Sequence, residues 1–548
     1  MKQKLKTLIE KGLEKLREEY PFETMPAVLL EIPKKENQGD YSTPVAMGLG
    51  SLLRQPPRKI AEKLVKALPE DPAIEKIDVA GPGYLNFTFK RSHWNDVLKE
   101  VVLKGPAYGR SPVRKGIKVQ VEFVSANPTG PLHVGHGRGA VVGDALSNLL
   151  EAVGYEVERE YYINDVGRQV ELLGQSVYQR YRELDGEKAE IPEGGYLGDY
   201  VTEIAREIRK HSSRIPAEQE RIGPFFSTFA KEKILEEIRR DLKFLGVEIP
   251  HWYSEKSLYD SGSVDKVLGL LKEKGLLYEA EGGTWFATSR FGDDKDRIVI
   301  KSNGDKTYFA SDVAYHYEKC VKGFQRIINI WGADHHGYIL RMKAALSALG
   351  FNSDLLQVLL LQLVTLSREG KPVPMSKRAG EYVTVRDVID EVGADATRFF
   401  FLLRGTDSAL DFDLELAKKQ SSENPVYYVQ YAHARLCSVF RNAEERKVSL
   451  EGDIPDLSLL SLPQETALMK QLAWYPLLLE ESAEALEPHR ISYYLQDLAA
   501  MLHQYYYKTR IISDEMELTR SRLYLSRGIR VVLKNALEIL GIGAPEKM

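Results

Sequence analysis

The chain has 548 residues, and at about 150 residues per domain this length predicts three or four folding units rather than one small module. Hydrophobic residues make up 43% and charged residues 28% of the chain, which is typical of a globular protein and excludes wholesale disorder. The formal net charge is −4, so a nucleic-acid partner would have to meet a local basic surface.

The two cysteines, Cys320 and Cys437, lie far apart in the sequence, so the chain can build neither a disulfide framework nor a four-thiolate zinc site. We therefore expect a reducing, cytoplasmic location and no structural zinc. The longest apolar run, residues 355–366, contains two glutamines and is too short to span a bilayer. Because charges also interrupt the N-terminal helix pattern, we expect neither a targeting segment nor membrane association.

Residues 1–110 have the pattern of a separate α+β domain. Leucines and an isoleucine fall on one helical stripe within residues 5–16, a second helical pattern covers residues 57–68, and residues 81–89 are strand-like. Residues 105–116 are rich in Gly, Pro and Arg, which is typical of a linker to the next domain.

A first βαβ pattern follows this linker. Residues 117–123 alternate between apolar and polar like a strand, and the helical spacing that comes next ends at Gly154. Residues 156–163 then have the pattern of a second strand.

The same order of elements returns later in the chain. Residues 327–331 and 355–363 have the composition of buried strands, and the helix pattern between them ends at Gly350. Two such units predict a multidomain α/β protein whose core, within residues 111–420, is a doubly wound, Rossmann-like parallel sheet.

The two units are separated by an insertion at about residues 164–296. Its helical patterns lie at residues 166–184, 200–210 and 230–245. After it, Asn303 and Gly304 predict a hairpin turn between two short strands of residues 298–309. Residues 421–548 contain only helix-length amphipathic segments and predict an all-α domain.

Two short histidine motifs follow predicted parallel strands, at the edge of a sheet where ligands bind. His133 and His136 flank Gly135 just before a helix, whose first N–H groups and dipole favour phosphate. The second motif is His335–His336. The ordinary alternative is a capped turn. A zinc site built from His133, His136, Asp334 and His335 is a weaker alternative, because no HExxH helix or thiolate accompanies them.

A basic loop, SREGKPVPMSKRAGEYVTV, follows the strand that ends near residue 363. Its Lys371, Lys377 and Arg378 could place cations over the phosphates of a nucleotide, where negative charge grows during nucleotidyl transfer. A solvated basic turn is the alternative interpretation.

The pair of motifs resembles the signatures of class I aminoacyl-tRNA synthetases. HVGH (133–136) resembles their His-x-Gly-His signature and PMSKR (374–378) their KMSKS-type signature, with Pro374 in the place of the usual first lysine. The resemblance implies ATP with Mg²⁺ as cofactors and a catalytic role for His133, His136 and Lys377. The ATP-binding residues that it implies are Pro131, His133, Gly135, His136, Met375, Ser376 and Lys377.

Further segments resemble the arginyl-tRNA synthetase family, and together they cover nearly the whole chain. They are VEFVSANPTGPLHVGHGRG (121–139), INDVGRQ (163–169), TYFASDVAYH (307–316), WGADHHG (331–337), YVQYAHAR (428–435) and VLKNALEILGIGAPEKM (532–548). NQGDYSTPVAM (37–47) with VAGPGYLNF (79–87) is similar to the family's additional N-terminal, tRNA-contacting domain. The chain is too short for the editing insertion of the Ile, Val and Leu enzymes, and its two cysteines cannot supply the zinc thiolates of the cysteinyl enzyme.

The resemblance implies an arginine pocket. A guanidinium is a planar fork of donors, so its site should offer carboxylates and a phenolic oxygen. Tyr308 and Asp312 share one face of a predicted helix and match the family's guanidinium contacts. Taken singly, such residues are explained more simply as a core tyrosine, an N-capping aspartate or a surface glutamate. The arginine-binding residues that the resemblance implies are Glu122, Ser125, Asn127, Glu255, Tyr308, Asp312 and His335.

The C-terminal domain holds a basic stretch beside tyrosines. Residues 505–534 contain seven Lys or Arg against three Asp or Glu. RNA loop bases are bound by stacking on aromatic rings with cations on the phosphates, although a solvated helix with core tyrosines would show the same pattern. By resemblance this is the anticodon-binding domain, with Tyr427, Tyr431, Arg435, Tyr505 and Arg510 as candidate tRNA contacts.

The resemblance therefore implies an arginine–tRNA ligase that uses L-arginine, ATP and tRNA(Arg), and we expect a monomer. Two alternatives come from other classes of function. A nucleotidyltransferase acting on a small molecule would share both phosphate loops but would not need the helical C-terminal domain. A non-catalytic tRNA-binding relative would have lost the site residues, whereas His133, His136, Lys377, Tyr308 and Asp312 are all present.

Overall fold

A computed structural model describes residues 2–33, 38–373, 383–449 and 452–548 of the chain. The N-terminal part packs helices against a small antiparallel sheet with strand order β1-β3-β2. Its elements are α1 (Lys2–Glu19), β1 (Tyr41–Thr43), α2 (Val45–Leu53), α3 (Pro57–Ala67), β2 (Ile74–Ala80) and β3 (Tyr84–Phe89). The predicted stripe of α1 is confirmed, because all its members are buried: Leu5, Leu8, Ile9, Leu13 and Leu16.

Residues 105–116, the predicted linker, connect the N-terminal part to the central sheet, and Tyr108 among them is buried whereas most of residues 110–116 are exposed. After α4 (Arg91–Lys104), the hydroxyl of the buried Tyr108 donates to the carbonyl of Leu472, 3.0 Å away. The Asn535 amide donates to the carbonyls of Gly105 and Tyr108 at 3.0 and 3.1 Å. These bonds fix the segment to the C-terminal helices.

The centre of the molecule is a parallel sheet with strand order β11-β10-β4-β5-β6. Its strands are β4 (Lys118–Glu122), β5 (Glu156–Ile163), β6 (His251–Ser254), β10 (Arg326–Gly332) and β11 (Leu356–Leu361). Helix α5 (Val134–Ala152) connects β4 to β5, and α12 (Tyr338–Leu349) connects β10 to β11. The chain leaves the neighbouring strands β4 and β10 in opposite directions, so the predicted doubly wound sheet is confirmed, with its switch point between them.

The predicted strand of residues 355–363 is confirmed as β11, but the apolar run of residues 355–366 is divided between two strands in different sheets. Strand β11 ends at Leu361, and β12 (Val364–Arg368) pairs with β13 (Lys371–Pro372) and β14 (Leu410–Asp413) instead. At the break, the carbonyl of Gln362 accepts a hydrogen bond of 3.0 Å from the buried guanidinium of Arg138. The apolar run continues through both strands, so its composition did not reveal the break.

The insertion forms a helical layer and a small antiparallel sheet of β7, β8 and β9. Its elements are α6 (Arg168–Leu184), α7 (Asp199–Lys210), α8 (Gln219–Phe244), α9 (Glu255–Asp260), α10 (Ser263–Glu273), β7 (Leu277–Ala280), β8 (Gly283–Phe286) and β9 (Arg297–Ile300). The turn at Asn303–Gly304 is present, with Gly304 at φ +86°, but its second strand is wrong. Only Lys306 bridges back to Ile300, and α11 (Tyr308–Val321) begins two residues later.

Helices follow the sheet to the C-terminus. They are α13 (Val385–Val392), α14 (Ala394–Phe401), α15 (Leu414–Lys418), α16 (Pro425–Glu445), α17 (Pro463–Ala485), α18 (His489–Lys508) and α19 (Met516–Ile539). Within residues 421–449 and 452–548 the structure has no strand, as the sequence predicts. The buried Arg398 pairs with Asp144 of α5 and donates to the carbonyl of Leu540 at 2.9 Å, which joins the helical part to the sheet. Among the described helices, none combines the length and apolar character that crossing a membrane requires.

Candidate active site

A cavity of about 1070 Å³ opens at the carboxyl ends of the central strands. It lies where the switch point of the sheet predicts a ligand site. The structure brings nearly all of the described site candidates to its wall: Glu122, Ser125, Asn127, His133, Gly135, His136, Tyr308, Asp312 and His335.

His133 and His136 form a reciprocal cap at the start of α5. Nδ1 of His133 accepts from the backbone N–H groups of Gly135 and His136 at 3.1 and 3.4 Å, and Nδ1 of His136 faces the N–H of His133 at 3.4 Å. The two rings stack with centroids 3.6 Å apart. Since each Nδ1 accepts, the hydrogen of each neutral ring is on Nε2. The two histidines therefore cap the turn through their Nδ1 atoms and keep their Nε2–H groups as hydrogen-bond donors.

The glycine at position 135 leaves room for the ring of His133. A Cβ at Gly135 would stand 3.0 Å from Cε1 of His133, closer than side chains normally approach. Pro131, two residues before His133, is partly buried but does not line the cavity. The motif thus presents a helix N-terminus and two imidazoles to one space, which suits an anion.

Tyr308 and Asp312 lie on the first two turns of α11, as the sequence predicts. The N-cap of this helix is Thr307, so the alternative that Asp312 caps the helix is wrong. The pKa of Asp312 is raised to about 7, mainly by burial, with the charges of Glu255 and Glu122 acting in the same direction and a hydrogen bond from Tyr338 opposing them. Asp312 is therefore a carboxyl group that a cationic partner would ionise.

Glu255 lies behind the cavity wall rather than on it. Its side chain is buried at the start of α9, and Ser311 donates to its Oε1 at 2.7 Å. The amide of Asn164, which does line the cavity, is 2.8 Å from Oε2 when its nitrogen faces the carboxylate. The pKa of Glu255 is raised to about 7, mainly by burial and also by the charge of Asp165, against the hydrogen bond from Ser311. Glu255 is thus no surface residue.

Ser125 and Asn127 belong to the loop that follows β4. Oγ of Ser125 donates to Glu122 at 3.0 Å and accepts from the N–H of Tyr162 at 3.1 Å. The exposed Asn127 donates to Gln169 of α6 at 2.8 Å. This loop therefore carries polar side chains on the same wall as Asp312.

His335 lies at the rim of the cavity and is 59% exposed, with Asp334 at 3.7 Å. In the part of the chain that the structure describes, no group of three or more His, Cys, Asp or Glu side chains is placed to hold a metal ion. Among the described residues, the structure therefore does not support the alternative of a zinc site at these histidines.

The sequence did not single out several residues of this site. Tyr338 and Tyr162 line the cavity, and neither stands out by local spacing. Gly167 has φ +105°, and a Cβ there would lie 2.6 Å from the hydroxyl of Tyr308. In the sequence, only the position of Gly167 within the family-like segment INDVGRQ pointed to this residue.

The second signature falls outside the described residues. Pro374, Met375, Ser376, Lys377 and Arg378 belong to residues 374–382. The chain that follows returns to the histidine motif, because Thr384 bridges to His133 and the N–H of Val385 donates to the carbonyl of Leu132 at 2.8 Å.

A second group of polar and aromatic residues lies on the C-terminal helices. Tyr427 and Tyr431 stack with centroids 6.0 Å apart, and the guanidinium of Arg435 lies over the rings of Tyr431 and Tyr506 at 4.6 and 4.8 Å. Tyr507 is 90% exposed. This cluster, the tyrosine–arginine surface, offers flat rings and a cation for nucleobases and phosphates.

The structure corrects the expectation for Tyr505. Its side chain is 1% exposed, and its hydroxyl donates to the buried Glu465 at 2.9 Å beside Arg522. A ring held in the core in this way has no face for a base. Arg510 is exposed, and its carbonyl accepts a hydrogen bond from Arg522.

Family models match three segments that together span most of the chain. Residues 3–89 match the arginyl tRNA synthetase N terminal domain, and residues 98–401 match the tRNA synthetases class I (R) catalytic domain. Residues 429–548 match the DALR anticodon binding domain.

Relatives and solved structures agree with these matches. The chain is 52% identical to the arginine–tRNA ligase of Syntrophotalea carbinolica over the full length of both chains. It is 47% identical to that of Geobacillus thermodenitrificans over 96% of this chain and 95% of the relative. The arginyl-tRNA synthetase structure from Thermus thermophilus superposes with a TM-score of 0.78 at 25% identity over both full chains. The chain therefore belongs to the arginyl-tRNA synthetase family, with a class I catalytic domain and a DALR domain.

Proposed function

We propose that the cavity at the switch point is where this arginine–tRNA ligase converts arginine and ATP to arginyl-adenylate and then transfers the arginyl group to tRNA(Arg). In the first step an oxygen of the arginine carboxylate attacks the α-phosphorus of ATP, and the bond to pyrophosphate breaks. In the second step a hydroxyl of the terminal ribose of tRNA attacks the carbonyl carbon, and AMP leaves. One observation carries the proposal: a single cavity is lined by both an anion-binding helix start and a carboxylate suited to a guanidinium.

The carboxylate side of the cavity would bind arginine. Asp312 and the hydroxyl of Tyr308 would accept from the guanidinium, and Glu255 would add negative charge from behind Ser311. Ser125 and Asn127 would hold the α-amino and carboxylate groups together with Glu122, and His335 would stand at the rim. Asp312 and Glu255, whose pKa values are about 7, would both be ionised by a bound cation.

The helix side of the cavity would bind ATP. His133 and His136 would donate from Nε2 to phosphate oxygens, where negative charge grows in the transition state. Gly135 would let the phosphates approach the backbone, Pro131 would lead the chain into this turn, and Lys377, with Met375 and Ser376, would supply the second signature. We take Mg²⁺ to enter as part of MgATP, since magnesium is often held mainly by substrate phosphates.

These roles need no covalent enzyme intermediate. The chain would accelerate the first step by holding the carboxylate in line with the α-phosphorus and by placing donors where charge develops. An aminoacylation assay with arginine and each other standard amino acid tests this, and we expect arginine alone to be joined to tRNA. Charging with another amino acid at a comparable rate, or ATP turnover that ignores added tRNA, would overturn the proposal.

The domains outside the core would bind the tRNA. We propose that residues 1–110 contact the tRNA body, residues 111–420 form the catalytic domain with its insertion at about 164–296, and residues 421–548 bind the anticodon. Tyr427, Tyr431 and Arg435 would be the main contacts, because they form the tyrosine–arginine surface, and the exposed Arg510 would add a cation.

We further propose that the chain acts as a monomer in the cytoplasm. Cys320 and Cys437 are both buried free thiols, which suits a reducing compartment.

A further inference from the structure

A buried lysine lies directly beneath the cavity. Lys319 of α11 has a side chain that is 1% exposed, and its Nζ is 2.6 Å from Oε2 of Glu122, at the end of β4. The same ammonium group donates to Oδ1 of Asn329 at 3.3 Å and lies 4.1 Å from the centroid of the Tyr315 ring. A fully buried ammonium group is costly unless it is paired and hydrogen-bonded, and this one is both.

Lys319 favours the ionised form of Glu122. Burial raises the pKa of Glu122, but the charge of Lys319, the nearby His316 and the hydrogen bonds from Lys319 and Ser125 together hold this pKa below its usual value. The neighbouring buried Glu160 differs, because burial raises its pKa more than Lys319 lowers it, and it takes a hydrogen bond from Tyr315 instead. The charge of one lysine is thus matched to one carboxylate, that of Glu122.

The carboxylate in turn holds an unusual piece of backbone. Val124 and Ser125 have φ values of +68° and +37°, in the left-handed region that a β-branched residue such as valine rarely enters. Ser125 donates to Oε1 of Glu122 and accepts from the N–H of Tyr162, so both bonds keep this turn in place. The turn carries the cavity-lining residues that follow β4.

Hydrogen bonds also orient the lysine from below. Nδ1 of His316 faces the carbonyl of Asp312 at 2.8 Å and must donate to it, so Nε2 accepts from the amide nitrogen of Asn329 at 2.9 Å. This leaves Oδ1 of Asn329 to accept from Lys319. Burial lowers the pKa of His316 to about 4, which agrees with a neutral ring. Asn329 therefore presents an acceptor, and not a donor, to the ammonium group.

We propose that Lys319 is a positioning residue for arginine: it holds the Glu122 carboxylate where it meets the α-ammonium group of the substrate. The proposal rests on the proposed function, in which Glu122 faces that group. Oε2 of Glu122 accepts one bond from Lys319 and Oε1 accepts one from Ser125, so the carboxylate keeps acceptor capacity after both bonds. Glu122 is part of the cavity wall, and in the proposal this remaining capacity is what a substrate ammonium group meets.

The test compares arginine with 5-guanidinopentanoate, which is arginine without its α-amino group. Binding of both is measured by calorimetry to the full-length protein and to its Lys319→Met and Glu122→Gln variants. We expect both variants to lose about tenfold or more in affinity for arginine, the scale of one charge-assisted hydrogen bond, and to keep their affinity for the analogue. Lys322→Met is the matched control, since Lys322 is exposed on the same helix end, and it should bind both ligands like the wild type.

A stranded carboxylate could prevent Lys319→Met from folding, so a double variant, Glu122→Gln with Lys319→Met, removes both charges of the pair. It should fold, bind the analogue normally and show no preference for arginine. Equal losses for the two ligands in Lys319→Met, or in the double variant, would mean a purely structural lysine and would overturn the proposal. If Glu122→Gln loses the preference but Lys319→Met keeps it, the proposal fails while the proposed function stands. A preference retained in Glu122→Gln would instead refute the role that the proposed function gives to Glu122.

Discussion

The hydroxyl of Tyr338 donates a hydrogen bond to Oδ2 of Asp312, the carboxyl group that we place opposite the substrate guanidinium. Tyr338 is the first residue of α12, and Asp312 lies on α11, so the contact joins two helices across the cavity wall. A neutral phenol stabilises the carboxylate only partly, because burial still raises the pKa of Asp312 to about 7. The charge of this residue therefore changes within the range in which the enzyme can be assayed.

The pKa of Asp312, which is about 7, predicts how arginine binding depends on pH. Asp312 and Glu255, whose pKa values are both about 7, take up protons as the pH falls from 8 to 6 and lose the charge that attracts a guanidinium. For one such group the ionised fraction falls about tenfold over this range, so the Kd of arginine should rise by about that factor or more. Titration calorimetry at several pH values measures it. A flat profile would contradict the assignment of these carboxyl groups.

Asp312→Asn should impair arginine recognition without weakening the fold. Truncating a buried, hydrogen-bonded charge partner costs about 2–5 kcal/mol, and this loss should appear in kcat/KM for arginine. A carboxyl group whose pKa is raised on folding favours the folded state at low pH and loses that contribution as the pH rises through 7. At pH 8 the Asn variant should therefore unfold no earlier than the wild type. Normal arginine kinetics in a folded variant would remove Asp312 from the pocket.

His136→Ala should lower the rate of adenylate formation by about 100-fold, the scale for the loss of one transition-state donor. The main hydrogen bonds of the cap, to Nδ1 of His133, remain in the variant, so its melting temperature should change little. Pyrophosphate exchange in the presence of tRNA measures the effect. His251→Ala, at an exposed histidine of β6, is the control. Equal exchange rates in the two variants would exclude the motif from the mechanism.

Arg435→Ala and Tyr505→Phe should separate the RNA surface from the core of the helical domain. Arg435 stacks on Tyr431 and Tyr506, so its loss should weaken tRNA binding by about 1–3 kcal/mol and leave the melting temperature unchanged. Tyr505→Phe removes a donor to the buried Glu465 and should destabilise the fold by about 1–3 kcal/mol with normal tRNA affinity. Filter binding and thermal denaturation measure both variants. The reverse pattern would return Tyr505 to the RNA surface.

Local sequence determined much of the architecture. The stripe of α1, the strand of residues 156–163 and the helix stops at Gly154 and Gly350 follow from spacing alone, because periodicity and a glycine at positive φ act within one element. The place of His133 and His136 after a parallel strand also predicted which edge of the sheet holds the site.

Tertiary structure decided which side chains meet. Glu122 and Lys319 are 197 positions apart, and neither has a spacing that predicts the other. The same holds for Tyr505, whose hydroxyl bonds to Glu465 of another helix, and for the break at Gln362, whose carbonyl accepts a hydrogen bond from Arg138. Such contacts depend on how helices and strands pack against one another. A single buried polar partner can therefore place a side chain in the core where the local sequence predicts it at the surface.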